Sequence, residues 1–128
     1  MIEVEQLEKR YGDLVAVSGV SFRVEPGRLF GLLGPNGAGK STTIGCLSGL
    51  LQPDGGSVRL CGVDVRAGAS ARAALGLVPQ EIALYTELNA RANLDFYGRA
   101  LGLRGKELGR RIDAVLERVG LADRAQEP

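Results

Sequence analysis

Alternation of apolar and polar positions opens the chain and predicts sheet. In "IEVEQL" (residues 2–7), Ile2, Val4 and Gln6 fall on one face of a strand and Glu3, Glu5 and Leu7 on the other. "VSFRVEPG" (residues 20–27) sets Val20, Phe22 and Val24 against Ser21, Arg23 and Glu25, and Pro26-Gly27 stops it. "RLFGLLG" (28–34) is nearly continuous in apolar residues, the pattern of a strand covered on both faces. "SVRLCGVDV" (57–65) returns to strand, and "LGLVPQ" (75–80) gives one more short apolar strand ending at Pro79. Between these runs a helix is predicted from the glycine-rich stretch at 34–39 to about Leu50, where "QPDGG" ends it.

Beyond Gln80 the period changes from strand-like to helical. "NARANLDFYGRALGL" (89–103) and "GKELGRRIDAVLERVGL" (105–121) both read as helices. The second places Leu108, Ile112, Val115, Leu116 and Val119 on one stripe. A boundary near Gln80 therefore separates a sheet-rich core over residues 1–80 from a helical segment over 81–128. There are no internal repeats and no low-complexity tract.

Composition narrows the chemistry. The chain has 128 residues, enough for one compact domain, and a net charge of +1 argues against a polybasic nucleic-acid or membrane-surface binder. It has no histidine, which excludes histidine general-base catalysis and a histidine metal site. Cys46 and Cys61 lack metal-ligand spacing and read as reduced, buried thiols of a cytosolic protein. No apolar run approaches the length of a membrane span and the first residues are polar, so a membrane role is expected only through a partner.

Residues 34–41, Gly-Pro-Asn-Gly-Ala-Gly-Lys-Ser, fit G-x4-G-K-[ST] at every fixed position, between an apolar run and a helix. Glycines allow successive backbone N–H groups to converge as an anion nest, and the following helix N-terminus adds partial positive charge. Lys40 can reach the β- and γ-phosphates of a nucleotide, and the Ser41 hydroxyl can ligate Mg²⁺. Hydrolysis also needs an acidic residue at a strand end and a group that orients water. No Asp or Glu follows four apolar residues here, and Glu81 is the nearest carboxylate to such a place. A P-loop kinase or GTPase fits poorly, since the guanine-reading N-K-x-D is absent.

Three segments taken together resemble the N-terminal part of an ATP-binding subunit of an ABC transporter. They are "KRYGDLVAVSGVSFRVEPG" (9–27), "GRLFGLLGPNGAGKSTTIGCLSGLLQPDGGSVRLCGVDV" (27–65) and "LGLVPQEIALYTELNARANLDFYGRALGL" (75–103). The resemblance implies an α/β fold: a P-loop NTPase core of ABC type, an antiparallel β subdomain and the start of a helical subdomain. It further implies that Tyr11 stacks on adenine and that Gly34, Asn36, Gly37, Ala38, Gly39, Lys40, Ser41 and Thr42 wrap the triphosphate of ATP. Gln80 would touch Mg²⁺ or the attacking water, so the implied catalytic residues are Lys40 and Gln80 and the implied Mg²⁺ ligands Ser41 and Gln80. Ile82, Leu84 and Tyr85 would either meet a transmembrane subunit or pack beneath their own loop.

The implied partners are a transmembrane permease subunit and a second nucleotide-binding subunit, with no nucleic acid. The implied location is the cytoplasmic face of a membrane, reached through the permease. The segment after Gln80 is most similar in style to exporters of drugs, lipids, polysaccharides or ions. Against that family pattern the LSGGQ-like signature loop, the Walker B strand, the catalytic glutamate and the switch histidine are missing. The expectation is a truncated chain that binds nucleotide, does not hydrolyse it alone, and is marginally stable or self-associating. Alternatives are a binding-only module and a soluble ABC-type ATPase of translation or repair.

Overall fold

In the computed structural model, residues 1–73, 75–81 and 83–127 are described. They form two compact units, Met1–Leu77 and Val78–Pro128.

The first unit is built on a four-stranded antiparallel sheet of order β2-β1-β3-β4. Its strands are β1 (Ile2–Tyr11), β2 (Leu14–Val24), β3 (Gly55–Leu60) and β4 (Val63–Asp64). Gly12, at φ 57°, turns β1 into β2. One helix, α1 (Lys40–Leu47), sets Cys46 and Leu47 against Val4, Leu7, Val17, Val58 and Leu60 of the sheet. It stops short of Leu50 because Gly49 takes φ 69° and donates its N–H to the Cys46 carbonyl, a left-handed end that glycine allows. A 3-10 turn (Val65–Ala67) and the one-turn α2 (Ala69–Arg72) follow β4.

Three sequence expectations are corrected. Strict alternation put Val4 and Leu7 on opposite faces, yet both are buried in one core, at 2% and 0% exposure. An extra residue between them changes the parity: Gln6 adopts φ 46° and the pairing with β2 slips between Val4 and Leu7. The Gln6 N–H and Nε2 instead donate to Ser21 Oγ at 2.8 and 3.0 Å, which satisfies donors the ladder no longer uses.

Second, residues 28–34 and 75–79 are not strands. Leu29, Leu33 and Val78 are exposed, while Phe30 stacks on Phe22 with ring centroids 4.8 Å apart. A covered strand needs hydrogen-bonding neighbours along its edges, and among the described residues neither run has one. Third, only Cys46 is buried. Burial pushes its thiol above its ordinary pKa, whereas Cys61 is exposed in the tight turn between β3 and β4, at φ 49° beside Gly62 at φ 83°.

The second unit pairs α3 (Ala90–Ala100) with α4 (Gly105–Arg118). Asn89 caps α3 by accepting the Ala92 N–H at 2.9 Å. Of the predicted stripe, Leu108, Ile112 and Leu116 are buried with Ala125, half-buried Leu94 and Leu103 pack against them, and Val115 and Val119 are exposed. Gly98 is where the two helices meet closely, since a Cβ there would sit 2.3 Å from Leu108 Cδ1. No helix of the described residues is long and apolar enough to cross a membrane.

Several half-buried carboxylates sit below their ordinary pKa. Asp64 reaches about 2, first because the Arg66 side chain donates to it and then because the Arg66 N–H does. Asp95 is lowered by Arg99, and Glu107 by Arg111 and Arg110. A carboxylate depressed by folding adds stability above its unfolded pKa and loses it as pH falls through the folded one. We therefore expect the thermal midpoint to fall steadily between the ordinary Asp value of 3.8 and the Asp64 value of about 2. Melting curves across that window check it, and an unchanged midpoint would remove these pairs from the account.

Candidate functional site

The loop before α1 takes its shape from two left-handed glycines, Gly37 at φ 83° and Gly39 at φ 80°. Gly39 is also pressed against β2: a Cβ would lie 2.2 Å from the Ala16 carbonyl oxygen. No larger residue fits both that conformation and that contact. Behind the loop, buried Thr43, Cys46 and Leu47 fix the start of α1 against the sheet. The first closed turn runs from the Thr43 N–H to the Gly39 carbonyl at 2.8 Å.

N-terminal to that bond, the N–H groups of Gly37, Gly39, Lys40, Ser41 and Thr42 have no hydrogen-bond partner among the described residues. These N–H groups are free to donate outward, and the helix start adds partial positive charge beside them. Lys40 folds over the same loop and donates through Nζ to the carbonyls of Gly34 and Pro35, both at 2.6 Å. The loop thus holds its one full positive charge at its own mouth. The exposed Asn36, Gly37 and Ala38 border it, Thr42 is half-buried, and the Ser41 hydroxyl is exposed at the first turn of α1.

Divalent metal has few protein ligands to use here. Among the described residues no three His, Cys, Asp or Glu side chains converge. The exposed Ser41 hydroxyl could supply one oxygen ligand to Mg²⁺, an ion that keeps several waters in its shell.

Tyr11 lies at the end of β1, paired with Leu14 and 47% exposed. Leu14 leads within two residues to Ala16, against which Gly39 packs, so one hairpin carries both Tyr11 and the backstop of the loop. Lys9 and Asp54 are site neighbours that the sequence pattern did not single out. Lys9 Nζ stands over the Tyr11 ring, 5.7 Å from its centroid, and donates to Asp54 Oδ1 at 3.0 Å. The Arg10 N–H donates to Asp54 Oδ2 at 2.7 Å, and that bond followed by the Lys9 ammonium holds the Asp54 carboxyl below its ordinary pKa.

Gln80 and Glu81 belong to the second unit, where both are exposed. Ile82 lies outside the described residues. Leu84 and Tyr85 are exposed, and the Tyr85 ring meets Phe96 edge-on at 4.9 Å. They border an apolar groove of about 380 Å³ with Leu88, Tyr97, Val115 and Val119. The buried Asn93 side chain holds this segment in place. It accepts from the Tyr85 N–H at 2.9 Å and donates to the carbonyls of Tyr85, Leu88 and Asn89 at 3.0 to 3.2 Å. In the sequence Asn93 is one polar residue among helical neighbours, with nothing local to announce that role.

Comparison with known proteins places this geometry. The family model described as ABC transporter matches residues 17–128. The linearmycin resistance ATP-binding protein LnrL of Bacillus subtilis (strain 168) is 47% identical over 128 residues, taking in 99% of this chain and 41% of that protein. The daunorubicin resistance ATP-binding protein DrrA3 of Streptomyces coeruleorubidus is 46% identical over 123 residues, 95% of this chain and 39% of its own length. A solved structure of an ATP-binding subunit of an ABC transporter superposes with a TM-score of 0.81 at 32% identity, covering 98% of this chain and 52% of that one. The structure of cbiO1 from Clostridium perfringens, part of the ABC transporter complex cbiONQ, gives a TM-score of 0.86 at 25% identity, covering 99% and 53%. The chain spans about two fifths of the length of the curated relatives it matches.

Proposed function

Because the chain belongs to the ABC transporter family, as part of an ATP-binding subunit with the α/β P-loop NTPase fold, we propose that residues 34–42 grip the triphosphate of Mg-ATP. The observation that carries this reading is the set of unpaired amides of Gly37, Gly39, Lys40, Ser41 and Thr42 beside the Lys40 ammonium. Those amides take the place of water around the phosphate oxygens, and the fixed loop needs little reorganisation to do so. Lys40 moves its donors from the carbonyls of Gly34 and Pro35 to phosphate oxygens, exchanging neutral acceptors for charged ones. Ser41 offers its hydroxyl to Mg²⁺, which when bound neutralises charge between the β- and γ-phosphates. Tyr11 stacks on the adenine, and Gln80 is the group in this chain assigned to Mg²⁺ or the attacking water.

In the whole protein, we propose, ATP hydrolysis drives a transmembrane permease, with a second nucleotide-binding subunit completing the site at the cytoplasmic membrane face. We read the permease as an exporter, in keeping with relatives whose names speak of resistance to linearmycin and daunorubicin. For the 128 residues themselves the assigned activity is binding of Mg-ATP. Calorimetric titration of the chain with ATP and Mg²⁺ tests it. ATP should bind, AMP at least about tenfold more weakly because it lacks the phosphates the nest holds. Equal affinity for the two would overturn the phosphate assignment.

A further inference from the structure

Lys9 carries an ammonium that the triphosphate grip does not use. Its side chain is packed along most of its length, 15% exposed, and its ammonium is paired at the surface. Asp54 is that partner, and it is itself held from two other directions. Its N–H donates to the Glu8 carbonyl at 2.9 Å, and its Oδ2 accepts the Arg10 N–H at 2.7 Å. Asp54 lies in the segment that leads from α1 to β3, so these bonds clamp the far side of the phosphate-loop helix to the end of β1. From that clamp the Lys9 ammonium reaches over the ring of Tyr11 at 5.7 Å from the centroid.

We propose that Lys9, anchored by Asp54, is a positioning residue for Tyr11: it fixes the ring against one face and leaves the exposed remainder for a purine base. The proposal rests on the reading of Tyr11 as the adenine-stacking residue and adds to it what holds the ring. A tyrosine at the end of a hairpin otherwise samples several χ1 rotamers, and a base would have to select one of them. A cation over one face stabilises a single orientation. It also draws electron density from the ring, which favours stacking of a π-system on the other face.

The test separates the base from the phosphates. ATP and inorganic tripolyphosphate, each with Mg²⁺, are titrated into the chain and into Tyr11→Ala, Lys9→Met and the double variant. Tyr11→Ala should weaken ATP about tenfold, and Lys9→Met about three- to fivefold. Tripolyphosphate affinity should stay within about twofold in both, since neither residue belongs to the nest. The double variant should bind ATP no more weakly than Tyr11→Ala alone, because Lys9 acts only through the ring.

Asp54→Asn, which removes the anchor's charge, carries the same expectation and serves if Lys9→Met does not fold. Weakening of ATP and tripolyphosphate alike would make Lys9 a general electrostatic contributor and overturn the proposal. So would unchanged ATP affinity in Lys9→Met while Tyr11→Ala weakens it. Unchanged ATP affinity in Tyr11→Ala removes the stacking reading and this proposal with it, leaving the phosphate grip standing. Failure of the unaltered chain to bind either ligand removes the functional reading itself.

Discussion

Lys40→Ala should lower affinity for Mg-ATP at least about a hundredfold, since a charge-assisted hydrogen bond to phosphate contributes about 1.5–3 kcal/mol and Lys40 can make more than one. Lys40 is the only cationic side chain among residues 34–42, so no neighbour substitutes for it. The folded chain should tolerate the change. The two carbonyls that accept from Nζ belong to exposed residues, and water replaces the lost donor. Lys40→Arg should not restore binding fully, because a planar fork replaces a compact ammonium at the mouth of a close-fitting loop. Calorimetry on both variants, beside melting curves of each, separates lost affinity from lost structure. Unchanged ATP binding by Lys40→Ala would overturn the site.

Gly56→Ala should have the largest effect on stability, destabilising the first unit by about 3–5 kcal/mol, at the upper end of single substitutions. Gly56 sits at φ 76°, where an L side chain alone costs about 1–2 kcal/mol. A Cβ there would also lie 2.2 Å from the Gln6 carbonyl oxygen and 2.3 Å from that of Glu5. Both are backbone atoms of β1, so relief requires the strand itself to shift rather than a side chain to turn away. Gly12 provides the contrast: it too is left-handed, at φ 57°, but its Cβ would meet nothing within 4 Å. Gly12→Ala should therefore cost only the backbone portion, about 1–2 kcal/mol. Urea midpoints of the two variants decide the matter, and equal costs would show that the bulge at Gln6 does not depend on Gly56.

How much of this was legible in the sequence depended on the range over which each feature is specified. The turn at 34–39 and the helix that follows it were legible because their residues are adjacent and each has a local reason to be there. The α4 stripe was legible in part: Leu108, Ile112 and Leu116 pack inward, while Val115 and Val119 lie at the margin of the buried arc. The bulge at Gln6 was not, because a period of two cannot register an inserted residue. Its trace was present in the grouping of Leu7 with Glu3 and Glu5, an apolar side chain on an otherwise acidic face.

The apolar runs at 28–34 and 75–79 were misread for a related reason. Hydrophobicity predicts burial, but a strand exists only where a neighbour completes its hydrogen bonds. The Lys9–Asp54 pair spans 45 positions, and no window along the chain joins its ends.

The different surroundings of the two cysteines give the chain a built-in clock. A thiol-reactive probe meets Cys61 at the surface at once. Cys46, wholly enclosed between α1 and the sheet, can react only when that layer opens. The interval between first and second modification is therefore a direct reading of how often the helix that carries the phosphate loop lifts from its support. A ligand that stays in that loop only while the helix is seated lengthens the interval by the factor 1 + [L]/Kd.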